Sequence, residues 1–472
     1  MGMRVYNTLT RQMETLEPLE PGHVRLYTCG PTVYDYAHIG NFRAYVFEDL
    51  LRRTIRLAGY RVTQVMNFTD VDDKTLRGAQ AQGVSLDEYT RPFKQAFFED
   101  CEALTIERAE HYPAATDHIP EMIALIERLL ERGVAYRSDD GSVYFNIARF
   151  PSYGRLQRLN AAEMRAGARV AQDEYEKESA ADFALWKAWD AADGAVAWES
   201  PWGRGRPGWH IECSAMSMKY LGESFDVHTG GVDNIFPHHE NEIAQSEAAT
   251  GKPFARYWLH CAHLGVEGRK MSKSLGNFHT LRDLLERGYS GREVRYVLSS
   301  AHYRQALNFT FAALDAARAA LARLDTFVAR LRERAGGAAA APQSDWAAAL
   351  RERMRAALCE DLGVADALAA LFDLVHEGNR RMDRDELAPP AAAGVLALLD
   401  EADSVFGFLH GDSERPDERT LALIAERQAA RAARQWADAD RLRDEIAARG
   451  WRVKDTPNGP QAERLAQRAD QP

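Results

Sequence analysis

A strand, a Gly-Pro turn, a helix and a second strand follow one another near the N-terminus, and this order constrains the fold more than any other feature. Residues 24–29 form a short apolar run that is typical of a buried strand. Apolar residues recur at helical spacing over residues 41–58, and Gly59 then ends the helix. Residues 61–68 return as a strand. This β-α-β unit predicts an α/β fold with a parallel sheet, whose ligand lies at the carboxyl ends of the strands.

Later segments of the chain differ in composition from this unit. Residues 150–207 are rich in glycine, tryptophan and charge and lack a clean period, which indicates an insertion between two halves of one sheet domain. After residue 277 the pattern is almost wholly helical, with breaks predicted at residues 336–342 and 387–394. A last segment from about residue 414 is predicted to contain one more helix and the strand-like WRVKD.

Composition argues against several classes of protein. With 472 residues, 46% of them hydrophobic, the chain is long enough for several packed domains. No stretch approaches the roughly 20 apolar residues needed to span a bilayer, and no apolar leader is present, so we expect a cytoplasmic protein. A net charge of −11 disfavours indiscriminate coating of nucleic acid. The five scattered cysteines do not resemble a disulfide framework. A cysteine with a specific role is therefore expected to be a metal ligand or a buried thiol.

The first motif with a chemical meaning is YTCGPTVYDYAHIGN, residues 27–41. His38 and a small residue after it stand at a strand-to-helix junction, where an imidazole and backbone N–H groups can meet a phosphate. Alone, a His-x-Gly turn is more often only a turn.

The second motif is GRKMSKSLGN, residues 268–277. Lys270 and Lys273 stand in a short loop that can wrap a polyphosphate and neutralise charge as it shifts between oxygens. The alternative is a solvated basic loop. The two motifs together, in this order and separation, are far more specific than either alone.

A third group of residues is suited to a metal. Cys213 lies in GWHIECSAM, and His238 and Glu242 stand four apart on one face of a helix that opens near Pro237. With Cys29 they offer the sulfur, nitrogen and oxygen donors that hold Zn²⁺ tetrahedrally. A buried cysteine can instead be a small core residue, and an acidic helix can be a solvated face. Spacing alone leaves both alternatives open.

From here the sequence resembles a known family. The two loop motifs are similar to the paired motifs of class I aminoacyl-tRNA synthetases, and Cys29, Cys213, His238 and Glu242 all match the zinc site of the cysteinyl-tRNA synthetase family. The resemblance implies that His38 contacts the ATP phosphates. It also implies that Lys273, with Lys270, stabilises the transition state at the α-phosphate and the departing pyrophosphate.

The resemblance further implies substrate sites around these motifs. The implied ATP site consists of His38, Gly40, Asn41, His228, Gly230, Gly231, Asp233 and Lys273. The implied cysteine pocket is lined by Gly30, Thr69 and Trp209. Structural alternatives are core packing for Trp209 and a helix N-cap for Thr69 or Asp233.

Zinc has a physical reason to be present in such a family. Cysteine and serine are nearly equal in size, and a pocket built on shape alone rejects an isostere poorly. Zn²⁺ favours sulfur and lowers the pKa of a thiol, so it separates the two amino acids without an editing domain. The short insertion agrees with the absence of such a domain.

The C-terminal segment RAARQWADADRLRDEIAARGWRVKDTPNGP resembles the small anticodon-binding domain of the family. The resemblance implies four anticodon contacts, which are Arg431, Trp436, Asp440 and Asp455. These side chains can stack on bases, bind phosphate or accept hydrogen bonds from base edges. An isolated tryptophan on an alanine-rich helix is more often core. The chain also departs from the family after the Asp-x-Pro-x-Gly turn, because residues 460–464 read PQAER where the family commonly has a threonine, a tryptophan and basic residues. That departure puts the last anticodon contacts in doubt.

The family resemblance predicts a Rossmann-like catalytic domain with an inserted subdomain, a helical bundle and an anticodon-binding domain. The predicted limits are 1–125 and 208–275 for the two catalytic halves, 126–207 for the insertion, 276–310 for a stem-contact region with the second motif, 311–410 for the bundle and 411–472 for the anticodon-binding domain. The expected substrates are ATP with Mg²⁺, L-cysteine and tRNA(Cys), acted on by a monomer.

Three other functions fit part of the sequence. A ligase of the mycothiol type forms the same adenylate but passes cysteine to an amino sugar, and the wording PTVYDYAHIGN and the C-terminal tail favour tRNA over it. A zinc hydrolase needs an open ligand position, but HHENE is not H-E-x-x-H and the phosphate motifs would be unexplained. A non-catalytic RNA-binding descendant is disfavoured by intact His38, Lys270 and Lys273. The expected role of the other three cysteines, Cys101, Cys261 and Cys359, is structural.

Overall fold

Helices and strands of the computed structural model are described for residues 2–158, 182–272, 276–341, 344–409, 418–432, 435–449, 451–456 and 459–464. The strands, in chain order, are β1 (Arg4–Asn7), β2 (Gln12–Thr15), β3 (His23–Thr28), β4 (Arg61–Met66), β5 (Ala135–Arg137), β6 (Val143–Phe145), β7 (Phe183–Ala188), β8 (Gly205–Pro207), β9 (Phe225–Gly231), β10 (Ala255–Cys261), β11 (Leu264–Val266), β12 (Arg269–Lys270), β13 (Leu307–Phe309), β14 (Trp451–Thr456) and β15 (Gly459–Arg464).

The α-helices, in chain order, are α1 (Ile39–Leu57), α2 (Asp73–Gln82), α3 (Leu86–Ala103), α4 (Ile119–Glu131), α5 (Trp209–Leu221), α6 (Glu240–Thr250), α7 (Leu281–Glu286), α8 (Gly291–Ser299), α9 (Phe311–Ala335), α10 (Asp345–Cys359), α11 (Val364–Asp383), α12 (Pro389–Phe406), α13 (Glu418–Ala432) and α14 (Trp436–Ala448). Within the described residues, no helix has the length and apolar character that a membrane crossing requires.

The central sheet has the order β10-β9-β3-β4, and all of its neighbouring strands are parallel. Helix α1 joins β3 to β4, which confirms the predicted β-α-β unit. Its apolar residues Phe42, Val46 and Leu51 are buried, because this face packs on the sheet and on the helices beyond it. The two halves of the sheet are separated in sequence by residues 67–224, and their carboxyl ends meet at one edge.

The insertion forms a second, antiparallel sheet of order β5-β6-β7-β8. Strand β7 is buried along nearly its whole length. A strand covered on both faces shows no alternation of apolar and polar residues, which explains why this part of the sequence lacks a clean period. The predicted domain limits stay predictions, although the one at residue 126 falls inside α4.

The helices after the sheet correct one prediction. A break does begin at Gly336, which adopts a left-handed conformation directly after α9. The break predicted at residues 387–394 is wrong in extent, because α12 already begins at Pro389. Proline fits the first turn of a helix, where its missing N–H has no partner to lose, so Pro389 and Pro390 start a helix here.

The C-terminal unit has two helices, where the sequence predicted one. Helices α13 and α14 pack together, and Leu423, Ile446 and Trp451 are buried among them and the hairpin β14-β15. Helix α13 was missed because alanine and arginine dominate it, so its apolar period is weak. The divergent residues 460–464 pair with β14 in that hairpin.

Candidate active site

A cleft of about 910 Å³ opens at the carboxyl ends of β3 and β9, as a parallel sheet requires. Most of the residues that the sequence proposes for substrates and metal line it. These are Cys29, Gly30, His38, Gly40, Asn41, Thr69, Trp209, Cys213, Gly231, Asp233, His238 and Lys270.

His38 sits at the phosphate end of the cleft as the N-cap of α1. Its Nδ1 accepts a hydrogen bond from the Asn41 N–H at 3.1 Å, and its own N–H donates to Asn41 Oδ1 at 3.1 Å. A Cβ on Gly40 would lie 2.9 Å from His38 Nδ1 and 3.0 Å from Met271 Cε, so a side chain there would crowd both loop motifs. The imidazole is therefore fixed where the first N–H groups of a helix attract an anion.

The second motif reaches the same end of the cleft from β12. Lys270 is exposed, and Asn277 ties the loop to it by accepting from the Ser272 N–H at 2.9 Å and donating to the Lys270 carbonyl at 3.2 Å. The Ile39 N–H donates to the carbonyl of His279, two residues after the second motif, at 3.0 Å, which joins the first motif to the segment that follows the second. Lys273 lies outside the described residues.

Four residues at the opposite end, Cys29, Cys213, His238 and Glu242, form what we name the ligand cluster. One donor atom from each lies within 4.8 Å of all the others. Cys29 follows β3, Cys213 comes from α5, and the turn before α6 places His238 Nε2 3.0 Å from Glu242 Oε1. Glu242 Oε1 is buried, and His238 Nε2 at 3.0 Å is the neighbour with which it shares the ligand cluster. Two sulfurs, a nitrogen and this carboxylate oxygen fit a tetrahedral zinc ion.

Electrostatics prepares the ligand cluster for a cation. A hydrogen bond from Cys29 lowers the pKa of the Cys213 thiol, and His238 adds to this against the opposing effect of burial. The same hydrogen bond and burial raise the pKa of Cys29. Burial alone would raise the pKa of Glu242, but His228 and His238 lower it below its usual range. Two anions therefore face a shared position where a positive charge is favoured.

A second group of ligands is also close enough to hold a metal, and it combines Cys29 and Glu242 with His228 and His239. Neither histidine lines the cleft, whereas Cys213 and His238 do. A metal that meets an amino-acid thiol must face the cleft, so the geometry favours the predicted set.

Three histidines that the sequence did not single out support the ligand cluster. His210 Nδ1 hydrogen-bonds to His238 Nδ1 at 2.9 Å. His239 Nε2 lies 3.3 Å from Cys29 Sγ, and its Nδ1 hydrogen-bonds to His260 Nε2 at 2.8 Å. Partners of this kind orient metal ligands. His210 and His239 stand near a proposed ligand in the sequence, in GWHIEC and HHENE, but nothing in the sequence marks His260.

His228 and Gly230, two of the predicted ATP contacts, do not line the cleft. His228 is fully buried, its Nε2 hydrogen-bonds to Glu242 Oε2 at 2.8 Å, and its ring stacks on Trp258. Its side chain thus positions Glu242 and does not reach the cleft as an ATP contact. A Cβ on Gly230 would lie 2.9 Å from the His239 ring, so close packing explains this glycine.

The proposed cysteine pocket lies beside the ligand cluster. Trp209 is 36% exposed and its ring stacks on His238 with centroids 4.4 Å apart, so the core alternative for it is wrong. Thr69 Oγ1 accepts from Asn67 Nδ2 at 3.2 Å, and the Gly30 N–H donates to Asn67 Oδ1 at 3.0 Å. A Cβ on Gly30 would lie 1.7 Å from the Asn67 carbonyl oxygen, so only glycine fits.

The N-cap alternatives for Thr69 and Asp233 are not borne out. Asp72 caps the nearest helix after Thr69, and the short turn that contains Asp233 is capped by Gly231. Asp233 is exposed on the cleft wall, with His263 Nδ1 3.5 Å from its Oδ2.

The proposed anticodon contacts lie on the C-terminal unit. Trp436 is 58% exposed at the start of α14, so the core alternative for it is wrong. Arg431 is exposed near the end of α13, and Asp440 accepts from Arg443 Nη1 at 2.9 Å. The side chain of Asp455 lies outside the described residues. The other cysteines, Cys101, Cys261 and Cys359, are buried, as packing roles require.

Comparison with known families covers most of the chain. Residues 15–319 match the family described as tRNA synthetases class I (C) catalytic domain. Residues 353–410 match the DALR domain, and residues 416–462 match the cysteinyl-tRNA ligase anticodon binding domain.

Individual proteins are similar over almost the full length. The cysteine–tRNA ligase of Protochlamydia amoebophila is 52% identical over 468 residues, covering 97% of each chain. That of Chlamydia pneumoniae is 52% identical over 468 residues, covering 98% of each.

Solved structures share the fold at much lower identity. Methionyl-tRNA synthetase of Mycobacterium tuberculosis in complex with methionyl-adenylate has a TM-score of 0.60 and 16% identity, covering 81% of this chain and 90% of its own. The LeuRS–tRNA–LeuAMS ternary complex of Agrobacterium radiobacter has a TM-score of 0.60 and 13% identity, covering 84% and 85%.

Proposed function

The chain belongs to the cysteine–tRNA ligase family of class I synthetases, and we propose that it selects cysteine through a zinc ion held by the ligand cluster. Membership makes it an ATP-dependent enzyme that joins cysteine to tRNA. The observation that carries the zinc proposal is the convergence of two thiols, an imidazole and a buried carboxylate, whose donor atoms all lie within 4.8 Å of one another.

The proposed reaction has two steps in one cleft. The cysteine carboxylate attacks the α-phosphate of ATP, which releases pyrophosphate and leaves cysteinyl-adenylate. A hydroxyl of the terminal ribose of tRNA then attacks the carbonyl of the adenylate, AMP leaves, and the aminoacyl ester remains on the tRNA. No covalent enzyme intermediate is needed, so the protein contributes position and charge.

At the phosphate end, His38 and the N-terminus of α1 bind the ATP phosphates. Lys270 lines the cleft at the same end, and Lys273 belongs to the same motif. Their ammonium groups neutralise the charge that builds on the departing pyrophosphate, with Mg²⁺ accompanying ATP.

At the cysteine end, a bound zinc ion supplies a soft Lewis acid that takes the substrate as a thiolate and disfavours a hydroxyl. Trp209 packs on His238 there, and Gly30 lets the backbone approach closely. His210, His228 and His239 keep the four ligands in place before the amino acid arrives, and the substrate thiol would join them as a fifth ligand.

The amino-sugar alternative is not favoured. The match to an anticodon binding domain at residues 416–462 supports tRNA as the acceptor, and an amino-sugar acceptor gives no use for such a domain. ATP and tRNA as substrates support the cytoplasmic location that we expect. The monomeric state remains a prediction.

The test compares the purified enzyme with Cys213→Ser and the control Cys359→Ser, which changes a buried thiol remote from the cleft. Each is assayed for zinc content and for charging of transcribed tRNA(Cys) with cysteine and with serine. We expect the wild type to charge cysteine only. Loss of partners around a metal ligand costs about 10–100-fold, so Cys213→Ser, which removes a ligand, should lose zinc and at least that much activity.

Equal charging with serine, or a Cys213→Ser variant that keeps both zinc and activity, would contradict the zinc proposal. If cysteine is adenylated but no tRNA accepts it, the acceptor is wrong and amino sugars become the next candidates.

A further inference from the structure

The segment that leaves the second motif runs back along the first motif. The Ile39 N–H donates to the His279 carbonyl at 3.0 Å, and His38 pairs with Thr280 in an isolated antiparallel bridge. The ring of Phe278 meets the His38 ring edge-on, with centroids 5.1 Å apart. The two segments therefore lie side by side in opposite directions, and each contact fixes one relative to the other.

Arg282, in the first turn of α7, makes the last contact of this pairing. Its guanidinium lies over the ring of Tyr36, two residues before His38, with Cζ 5.4 Å from the ring centroid. Its Nη2 donates to Glu99 Oε2 at 2.6 Å, and its Nε lies 3.3 Å from Asp100 Oδ1. One side chain from the segment after the second motif thus contacts both the first motif and helix α3.

Helix α3 gives this contact a firm base. Phe93, Ala96 and Asp100 recur at helical spacing, so they share one face of the helix. Phe93 meets the Tyr36 ring edge-on at 5.4 Å, and the Ala96 carbonyl accepts from Arg282 Nη2 at 3.4 Å. Asp100 is only 3% exposed, and a buried carboxylate is costly unless a cation accompanies it. The position of the Arg282 guanidinium is therefore fixed by the protein.

The first step of the proposed reaction depends on where the second motif lies. The motif is held at one end by β12, which pairs with β11, and at the other end by the segment that Arg282 fixes. Its lysines must meet the oxygens of the departing pyrophosphate, and a misplacement of about 1 Å can cost about 10²-fold in rate. Arg282 does not line the cleft, so it can affect this step only through the residues that it holds.

We propose that Arg282 is a positioning residue for cysteine activation, which holds the second motif against the first so that its lysines and His38 meet the same phosphates. The effect is confined to activation, because pyrophosphate has left before cysteine passes to tRNA. This inference rests on the proposed function, since it concerns the first step of that reaction.

The test uses Arg282→Gln in the full-length enzyme. Single-turnover formation of cysteinyl-adenylate, at saturating ATP and cysteine, should fall about tenfold, because the lysines are then misplaced in the transition state. The KM for ATP should change by less than about twofold, since the lost interaction belongs to the transition state. Transfer of cysteine from preformed cysteinyl-adenylate to tRNA should be unchanged.

A second variant, Arg282→Lys, separates positioning from folding. It keeps a positive charge beside Asp100, but an ammonium group cannot pair with Glu99 and cover the Tyr36 ring together, as a planar guanidinium does. The thermal unfolding midpoint should therefore match that of wild type. Activation should still fall by at least about threefold, because the position of the segment is no longer fixed.

The matched control is Arg353→Gln. Arg353 is also an exposed arginine in an ion pair, with Nη1 2.7 Å from Asp373 Oδ2, but this pair joins α10 to α11 and involves neither motif. Both activation and transfer should be unchanged in this variant.

An enzyme without the two lysines shows whether Arg282 acts through them. When Lys270 and Lys273 are both replaced by methionine, adding Arg282→Gln should lower activation by less than about a further twofold, because changes that act through one group are not additive. A purely structural role for Arg282 would leave the tenfold loss in place.

Three results would overturn the positioning role: normal activation in both Arg282 variants, an equal loss of activation and transfer, or a full loss that persists without the lysines. Failure of the wild type to form cysteinyl-adenylate would instead count against the proposed function.

Discussion

The two ends of the active-site cleft are built in opposite ways. At the cysteine end, Cys213, His238 and Glu242 are buried and each is held by neighbouring side chains. At the phosphate end, Lys270 is exposed on a two-residue strand. The first end must separate a thiol from a hydroxyl, which needs a site organised before binding. The second end must neutralise negative charge as it shifts between phosphate oxygens, and exposed lysine side chains can do this.

The buried end is possible because its charges compensate one another. Burial would lower the pKa of His238, but Glu242 and Cys213 raise it well above its usual range, so the ring holds a positive charge between two anions when no metal competes. Burial and the neighbouring His228 and His260 lower the pKa of His239, which keeps that ring neutral beside Cys29. The proposed metal ion would thus replace a proton in a site whose net charge is already arranged.

The largest expected effect comes from removing a charged side chain at the exposed phosphate end only. Lys270→Met should lower the rate of cysteine activation by about 10²–10³-fold, the usual loss when one group that stabilises transition-state charge is removed. Zinc content should not change, because Lys270 makes no contact with the ligand cluster. Pre-steady-state activation and metal analysis measure the two quantities. Loss of zinc together with activity would show that the two ends are not independent.

A smaller effect is expected from loosening the buried end without removing a ligand. His228→Asn deletes the hydrogen bond to Glu242 Oε2, and such outer partners are worth about 10–100-fold in metal affinity. Competition with a chelator measures zinc affinity, and His111→Asn is the control at a histidine outside the ligand cluster. An unchanged zinc affinity in His228→Asn would contradict the positioning role.

The smallest expected effect concerns the pH dependence of folding stability at the buried Glu48. Burial raises the pKa of Glu48 from 4.5 to about 8, and a hydrogen bond from Thr229 only partly opposes this. A raised folded-state pKa means that the contribution of this carboxyl to stability falls as pH rises from about 4.5 to about 8. The free energy of unfolding of Glu48→Gln, relative to wild type, should therefore rise by about 2.7 kcal/mol between pH 6 and pH 9. Denaturant unfolding at both pH values tests this, with exposed Glu127→Gln as control, and a pH-independent difference would contradict it.

Sequence reasoning located residues at the cleft where local motifs carry them. The β-α-β unit, His38 and Lys270 each follow from a short segment with its own period or composition. The ligand cluster draws on three segments, and the family resemblance, not spacing, brought them together.

Sequence reasoning failed where position depends on the sheet. His239, His260 and Thr8 form a hydrogen-bonded chain only because β9 and β10 are neighbours and the N-terminal segment crosses them. No period in the sequence marks such contacts. His228 was assigned to ATP for the same reason, because its strand shows only that it is near the cleft and not which way its side chain faces.

The cap at the start of α1 also sets the proton position on the His38 ring. A ring nitrogen that accepts a hydrogen bond cannot carry the proton, and Nδ1 accepts from the Asn41 N–H. The neutral ring must therefore hold its proton on Nε2. One tautomer is thus selected by the helix itself, and the His38 ring, which lines the cleft, has its hydrogen-bond donor at Nε2 in the neutral form.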